Sequence, residues 1–169
     1  MPAMVIVAEI AGDVLEQPYM AQIANCVCTQ PHGLSKAVWR KYPSCCVYSK
    51  RERAGKAKNT ARTPARPGTV VRLGHVYHLQ AQWAPGKPAG RYLAWYKTFY
   101  SKPEIADTTE DRIRWFECCL RELEKIVPPD RVVAVPYLMG CGLGGYETNW
   151  PRYKALLAKS TVRFRICRL

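Results

Sequence analysis

The stretch from Val132 to Leu157 places the tightest limits on what this chain can fold into. It opens with Val132, Val133, Val135 and Leu138 in a nearly all-apolar run, the pattern of a buried strand. It then packs four glycines into six residues, Gly140-Cys-Gly-Leu-Gly-Gly145. Asn149-Trp150-Pro151 follow, and Tyr153, Leu156 and Leu157 carry helical spacing. Proline suits the first turn of a helix, so a helix is expected from Pro151, with Asn149 or Trp150 near its cap. A strand, a glycine loop and a helix start in that order make a cradle for an anion. Glycines let the backbone approach closely, and the N–H groups of the loop and first turn lack acceptors of their own. A bare strand-to-helix turn is the alternative, but it needs fewer glycines.

At 169 residues the chain matches one ordinary domain with a real core, spanning residues 1–169. No apolar run reaches membrane-spanning length, so no membrane association is expected. The opening residues lack a basic segment and meet Glu9 early, which reads as a first strand and not a signal peptide. Eight cysteines fall without a C-x-x-C pair or any Cys/His spacing of a zinc site. They are read as reduced thiols of a cytoplasmic or nuclear protein, mostly small core residues, with no metal and no cofactor. The net charge of +13 favours anionic partners: nucleotides, nucleic acid or acidic proteins. Between residues 50 and 66, Lys50, Arg51, Arg53, Lys56, Lys58, Arg62 and Arg66 face a single acid, Glu52. That segment is either a solvated, mobile loop or a site for nucleic acid.

In chain order, Met4 to Ile10 reads as a central strand, followed by Asp13 where open α/β sheets bind ligands. An Asp there can accept from an exocyclic amine such as that of adenine. Ile23 to Val27 reads as a second strand. Cys28 to Gly33 is a loop whose His32 could titrate or donate to a phosphate, at the start of a helix over Leu34 to Tyr42. Cys45 to Arg53 is expected to continue helically, and residues 60–68 form a loop. Val70 to Leu73 and Val76 to Ala81 are strands joined at Gly74-His75. Residues 83–105, rich in Pro, Gly and aromatics, read as a long loop of the kind that forms lids. Asp107-Thr-Thr-Glu110 resembles a capping box. Ile113, Phe116, Leu120, Leu123 and Val127 then mark the clearest helix. Val162 to Leu169 alternates as a final strand with one solvent-facing side. Strands alternating with helices predict an α/β protein with a central mixed sheet between two helical layers.

These pieces together resemble a macro domain, the ADP-ribose-binding module. The resemblance is closest to the branch with a G-C-G-L-A-G-G-D-W loop, which includes proteins that process ADP-ribose-1''-phosphate or remove ADP-ribosyl groups. The loop Gly140-Cys-Gly-Leu-Gly-Gly145 with Trp150, Val135-Pro136-Tyr137 before it, and Gly12-Asp13-Val14 carry the likeness. So do His32-Gly33-Leu34-Ser35-Lys36-Ala37, Lys41-Tyr42-Pro43 and Ile166-Cys167-Arg168-Leu169, so that it spans nearly the whole chain.

The resemblance implies a three-layer α/β/α macro-domain fold. It implies that Asp13 and Val14 hold the adenine end. Asn25, Cys28, His32, Gly33 and Leu34 would surround the distal ribose and its phosphate. Gly140, Cys141, Gly142, Leu143, Gly144, Gly145 and Tyr146 would cradle the diphosphate. Two departures bear on catalysis. The first loop is shorter than the family's, with Cys28 where many members have Asn. Asn149 stands for the family's Asp, and an Asn cannot act as a general base. If the chain hydrolyses its ligand, Glu147 would replace the missing carboxylate and His32 would serve as acid or phosphate ligand. The resemblance thus leads to a monomer that binds ADP-ribose, or ADP-ribosylated protein or nucleic acid, and hydrolyses it. A non-enzymatic reader is the alternative. A basic nucleic-acid-binding domain acting through residues 50–66, its pocket vestigial, is a third reading.

Overall fold

The computed structural model describes residues 7–169. Among these residues, six strands form one sheet in the order β1-β6-β5-β2-β4-β3. They are β1 (Ala8–Ala11), β2 (Met20–Asn25), β3 (Val70–Leu73), β4 (Val76–Gln82), β5 (Val132–Pro136) and β6 (Arg163–Arg168). All neighbours run parallel except the β3–β4 hairpin. Four α-helices accompany them: α1 (Leu34–Lys41), α2 (Leu93–Phe99), α3 (Thr109–Ile126) and α4 (Trp150–Lys159).

Side-chain alternation along the strands builds two cores. Ala21, Val133, Val135, Phe164 and Ile166 point to one face, where they meet Phe116, Leu120 and Leu123 of α3 and Tyr153 and Leu157 of α4. Met20, Ala134 and Cys167, each one residue out of step, point to the other face and pack with Val14 and Val38 of α1. The protein is therefore a three-layer α/β/α structure around a mixed sheet, the architecture expected from its alternating strands and helices. No helix among the described residues is long and apolar enough to cross a membrane.

Several elements depart from expectation for identifiable reasons. The first strand was expected to be central over Met4 to Ile10. Residues 4–6 lie outside the described residues, and among the described residues β1 pairs with β6 alone, at the sheet's edge. β6 is correspondingly an inner strand; Arg163 stays exposed on its open side, but Cys167 on that same side is buried. β2 begins and ends earlier than Ile23 to Val27. The Asn25 carboxamide accepts the N–H groups of Val27 and Cys28 at 3.1 and 2.9 Å, which turns the chain out of the sheet. β5 stops at Pro136, and Leu138 sits in a turn with φ of 59°.

Instead of continuing as a helix, residues 45–53 make short 3-10 turns, Pro43–Cys45 and Tyr48–Lys50. Beyond them the basic segment is an ordered hairpin. Arg53 pairs with Ala61, and the Ala54 N–H donates to Thr60 at 2.8 Å. The expected 83–105 loop contains α2, whose helical run the flanking Pro and Gly residues masked. The capping box lies one residue further on than Asp107-Glu110. Thr108 Oγ1 accepts from the Asp111 N–H, and the Asp111 carboxylate accepts from the Thr108 N–H. Asp107 is thereby released for another task.

Candidate functional site

A cleft of about 280 Å³ opens at the carboxyl ends of β2, β4 and β5. Open α/β sheets place ligands at this edge, where parallel strands leave their loops together. Gln22, Ile23 and Asn25 of β2, Gln82 of β4 and Pro136 of β5 meet there. Two loops wall it. One ends in His32, Gly33, Leu34 and Ser35 at the start of α1; the other is the glycine loop, through Gly140, Gly142, Leu143 and Gly144. The loops nearly touch: a Cβ on Gly33 would stand 3.0 Å from Cδ1 of Leu143, whose side chain is 70% exposed above the cleft.

The glycine loop is held from one side by cations. Lys87 Nζ donates to the Gly142 carbonyl at 2.8 Å and also to that of Gly145, while Arg112 reaches the Gly144 carbonyl. In a trans peptide the C=O and the following N–H point in opposite directions. The Leu143 and Tyr146 N–H groups are therefore turned away from Lys87. Among the described residues, the N–H groups of Gly142, Leu143 and Gly144 have no protein acceptor. Neither do those of Gly33, Leu34 and Ser35 at the opening of α1. Two sets of unpaired amides thus belong to residues that line one cleft, which suits an anionic ligand.

Glycine is required at two loop positions. A Cβ at Gly145 would overlap the Gly140 carbonyl oxygen, and one at Gly140, which has φ of 75°, would lie 2.6 Å from Ile23 Cδ1. Gly142 has open space around its missing Cβ.

The floor is a buried polar chain. Ser35 Oγ donates to Gln22 Oε1 at 3.2 Å, Gln22 Nε2 donates to His78 Nδ1 at 3.1 Å, and His78 Nε2 donates to the Cys45 carbonyl at 2.6 Å. Burial pulls the His78 pKa down to about 4, so the imidazole is neutral and its tautomer is set by these partners. Next to this chain, the Tyr48 hydroxyl accepts the Asn25 N–H at 2.8 Å, and Arg51 clamps the carbonyls of Asn25 and Cys28.

The expected site residues divide into two groups. Asn25, His32, Gly33, Leu34, Gly140, Gly142, Leu143 and Gly144 line the cleft. The remaining ones do not. Asp13 lies beyond β1, where its Oδ1 accepts the Leu15 N–H at 2.9 Å, and neighbouring Val14 is buried in the core. Cys28 and Cys141 are core thiols; burial raises both pKa values, that of Cys141 to about 11, which disfavours the thiolate form. Gly145 is a buried support of the loop, and Tyr146 and Glu147 are exposed outside the cleft.

Sequence reasoning missed Gln22, Ser35, Gln82, Lys87, Asn59 and Arg112. Asn59, at φ of 48°, accepts the Thr29 and Gln30 N–H groups at 2.9 and 2.8 Å and so braces the first loop from the hairpin. Polar Gln22, His78, Gln80 and Gln82 inside otherwise apolar strands were the available signal, because a buried polar side chain needs a partner. No metal-binding group of three or more His, Cys, Asp or Glu side chains occurs among the described residues. No protein-family model matches the chain, and no curated protein matches it.

Proposed function

We propose that the cleft binds ADP-ribose and that the chain is a macro domain. The observation that carries this reading is the convergence of two loops with unpaired amides on one cleft at the carboxyl edge of the sheet. A diphosphate bound there would take N–H groups from both walls. Gln22, Asn25 and Gln82 would supply hydrogen bonds to ribose hydroxyls, and Leu143 would close over the ligand. Asp13 supports the adenine end less directly: its Oδ2 accepts no hydrogen bond from the described residues and remains available to an exocyclic amine.

Binding without turnover is the primary reading. No carboxylate lines the cleft among the described residues, and Glu147 stands outside it. Hydrolysis is the second reading, favoured by His32 at the rim, which could protonate a leaving group or orient water.

Calorimetric titration with ADP-ribose tests the first reading, run beside Asp13→Ala and Gly142→Val. Gly142 has room for a side chain within the fold, so valine there obstructs the cleft and leaves the loop intact. Saturable binding that Gly142→Val abolishes supports the reading; no binding by the wild-type chain sinks it. Phosphate release from ADP-ribose-1''-phosphate, lost in His32→Ala, would establish turnover.

A further inference from the structure

The outward face of α2 carries aromatic rings that the cleft does not use. Trp95 and Phe99 stack on one another with centroids 5.1 Å apart and planes at 18°. Each keeps nearly half its surface open, 49% and 42%. Tyr92, a turn earlier, is also exposed, and its ring lies against Gly86 at the rim of the cleft. Rings at these spacings share one helical face. The stripe therefore starts at the cleft mouth and leads away from it.

The neighbouring stripe of the same helix faces inward. Tyr96 donates its hydroxyl proton to the Asn59 carbonyl at 2.9 Å, and Tyr100 donates to that of Ala61. These bonds fasten the basic hairpin beside α2. Lys56 and Lys58 on the hairpin, and Arg91, Lys97 and Lys102 around the helix, make no ion pair among the described residues. The nearby acids are Glu52, already paired with Arg62, and Glu104. Half-exposed stacked rings on a helix that adjoins a hairpin with uncompensated cations match unpaired bases on a phosphate backbone. A duplex hides its base faces, and acidic side chains by themselves offer no ring to stack on Trp95 and Phe99.

We propose that this face binds single-stranded nucleic acid, with bases on Trp95 and Phe99 and phosphates along Lys56 and Lys58 of the adjoining hairpin. A strand bearing an ADP-ribosyl group would then enter the cleft past Tyr92. That second step rests on the ADP-ribose reading; the first stands without it.

The test uses the whole chain and fluorescein-labelled oligothymidine and oligouridine of about a dozen nucleotides, within the span of known single-strand sites. Anisotropy should report binding to at least one, and the tighter of the two distinguishes DNA from RNA. The Trp95→Ala/Phe99→Ala double variant should bind roughly tenfold to a hundredfold more weakly. Trp95→Tyr alone, which keeps a ring, should retain most of the affinity. Lys56→Ala/Lys58→Ala should weaken binding and flatten its salt dependence.

Unchanged affinity in the aromatic variant overturns the proposal, as does a blunt duplex bound as tightly as the single strand, or no binding at low salt. Self-association in sedimentation that the aromatic variant loses, with no oligonucleotide binding, would make the stripe a protein-docking face and also overturn it. ADP-ribose titrations on the same samples separate the two proposals, because the aromatic variant should bind ADP-ribose as the wild type does. Oligonucleotide binding without ADP-ribose binding would remove the cleft reading alone.

Discussion

Arg112 grips Asp107 through two parallel hydrogen bonds of 2.8 Å, Nε to Oδ1 and Nη2 to Oδ2, with both side chains sealed from solvent. The carboxylate also accepts the N–H groups of Trp83 and Ala84, and the guanidinium reaches the Gly86 and Gly144 carbonyls. One buried ion pair therefore fixes both the segment after β4 and the glycine loop. Removing one partner strands the other's charge, so Asp107→Ala should cost about 3–5 kcal/mol in urea denaturation. Arg112→Lys should not preserve stability, because an ammonium lacks the planar fork that reaches six acceptors. A loss below about 1 kcal/mol in Asp107→Ala would show that this hub matters little.

His78 links stability to pH. Its folded pKa of about 4 lies below the usual 6.5, so the unfolded chain binds a proton first as the solution is acidified. Its contribution is fully present above pH 6.5 and is lost as pH falls through about 4. The full span is worth about 3 kcal/mol. His75, also lowered by burial, acts in the same direction. Denaturation midpoints measured between neutral and mildly acidic pH should fall for the wild type and fall less for His78→Gln. Parallel curves for the two proteins would remove His78 as the cause.

The glycines of the loop should respond differently to one methyl group. Gly145→Ala pushes a Cβ into the Gly140 carbonyl and should cost about 1–3 kcal/mol while deforming the cleft wall. Gly142→Ala meets nothing and should stay within about 0.5 kcal/mol of the wild type. Thermal melts of the pair decide this, and equal losses would show that the loop has a different shape in solution.

Asn59→Ala should loosen the first loop. It removes the acceptor for the Thr29 and Gln30 N–H groups, at a cost of about 1–3 kcal/mol. Asn59→Gly relieves the positive φ but not the lost bonds, so it should recover only part of the deficit. Amide hydrogen exchange over residues 28–33 is the direct readout, and unaltered protection there would refute the bracing role.

Local signals and long-range ones were unequally legible. The α3 repeat, the Gly74 hairpin and the glycine loop each declare themselves within a few residues, and each stands where the sequence puts it. Gly33 and Gly142 could be assigned to one cleft because both precede helices in an α/β chain. The braces could not be read this way. Asn59 supports residues 29 and 30, and Arg112 supports Gly144, across separations that no local pattern encodes. The edge position of β1 was hidden for a related reason, since an apolar run specifies burial but not which strand lies beside it.

The position of β6 has a consequence for synthesis of the chain. β1 leaves the ribosome before the other described strands, yet the only strand it pairs with among the described residues is Arg163–Arg168, between itself and β5. At roughly 5–20 residues per second, β1 waits on the order of ten to thirty seconds for that partner. During that interval its hydrogen-bonding edge is unsatisfied and open to misassociation. A nascent-chain chaperone would have its longest task at β1, although the cleft is built from strands further along.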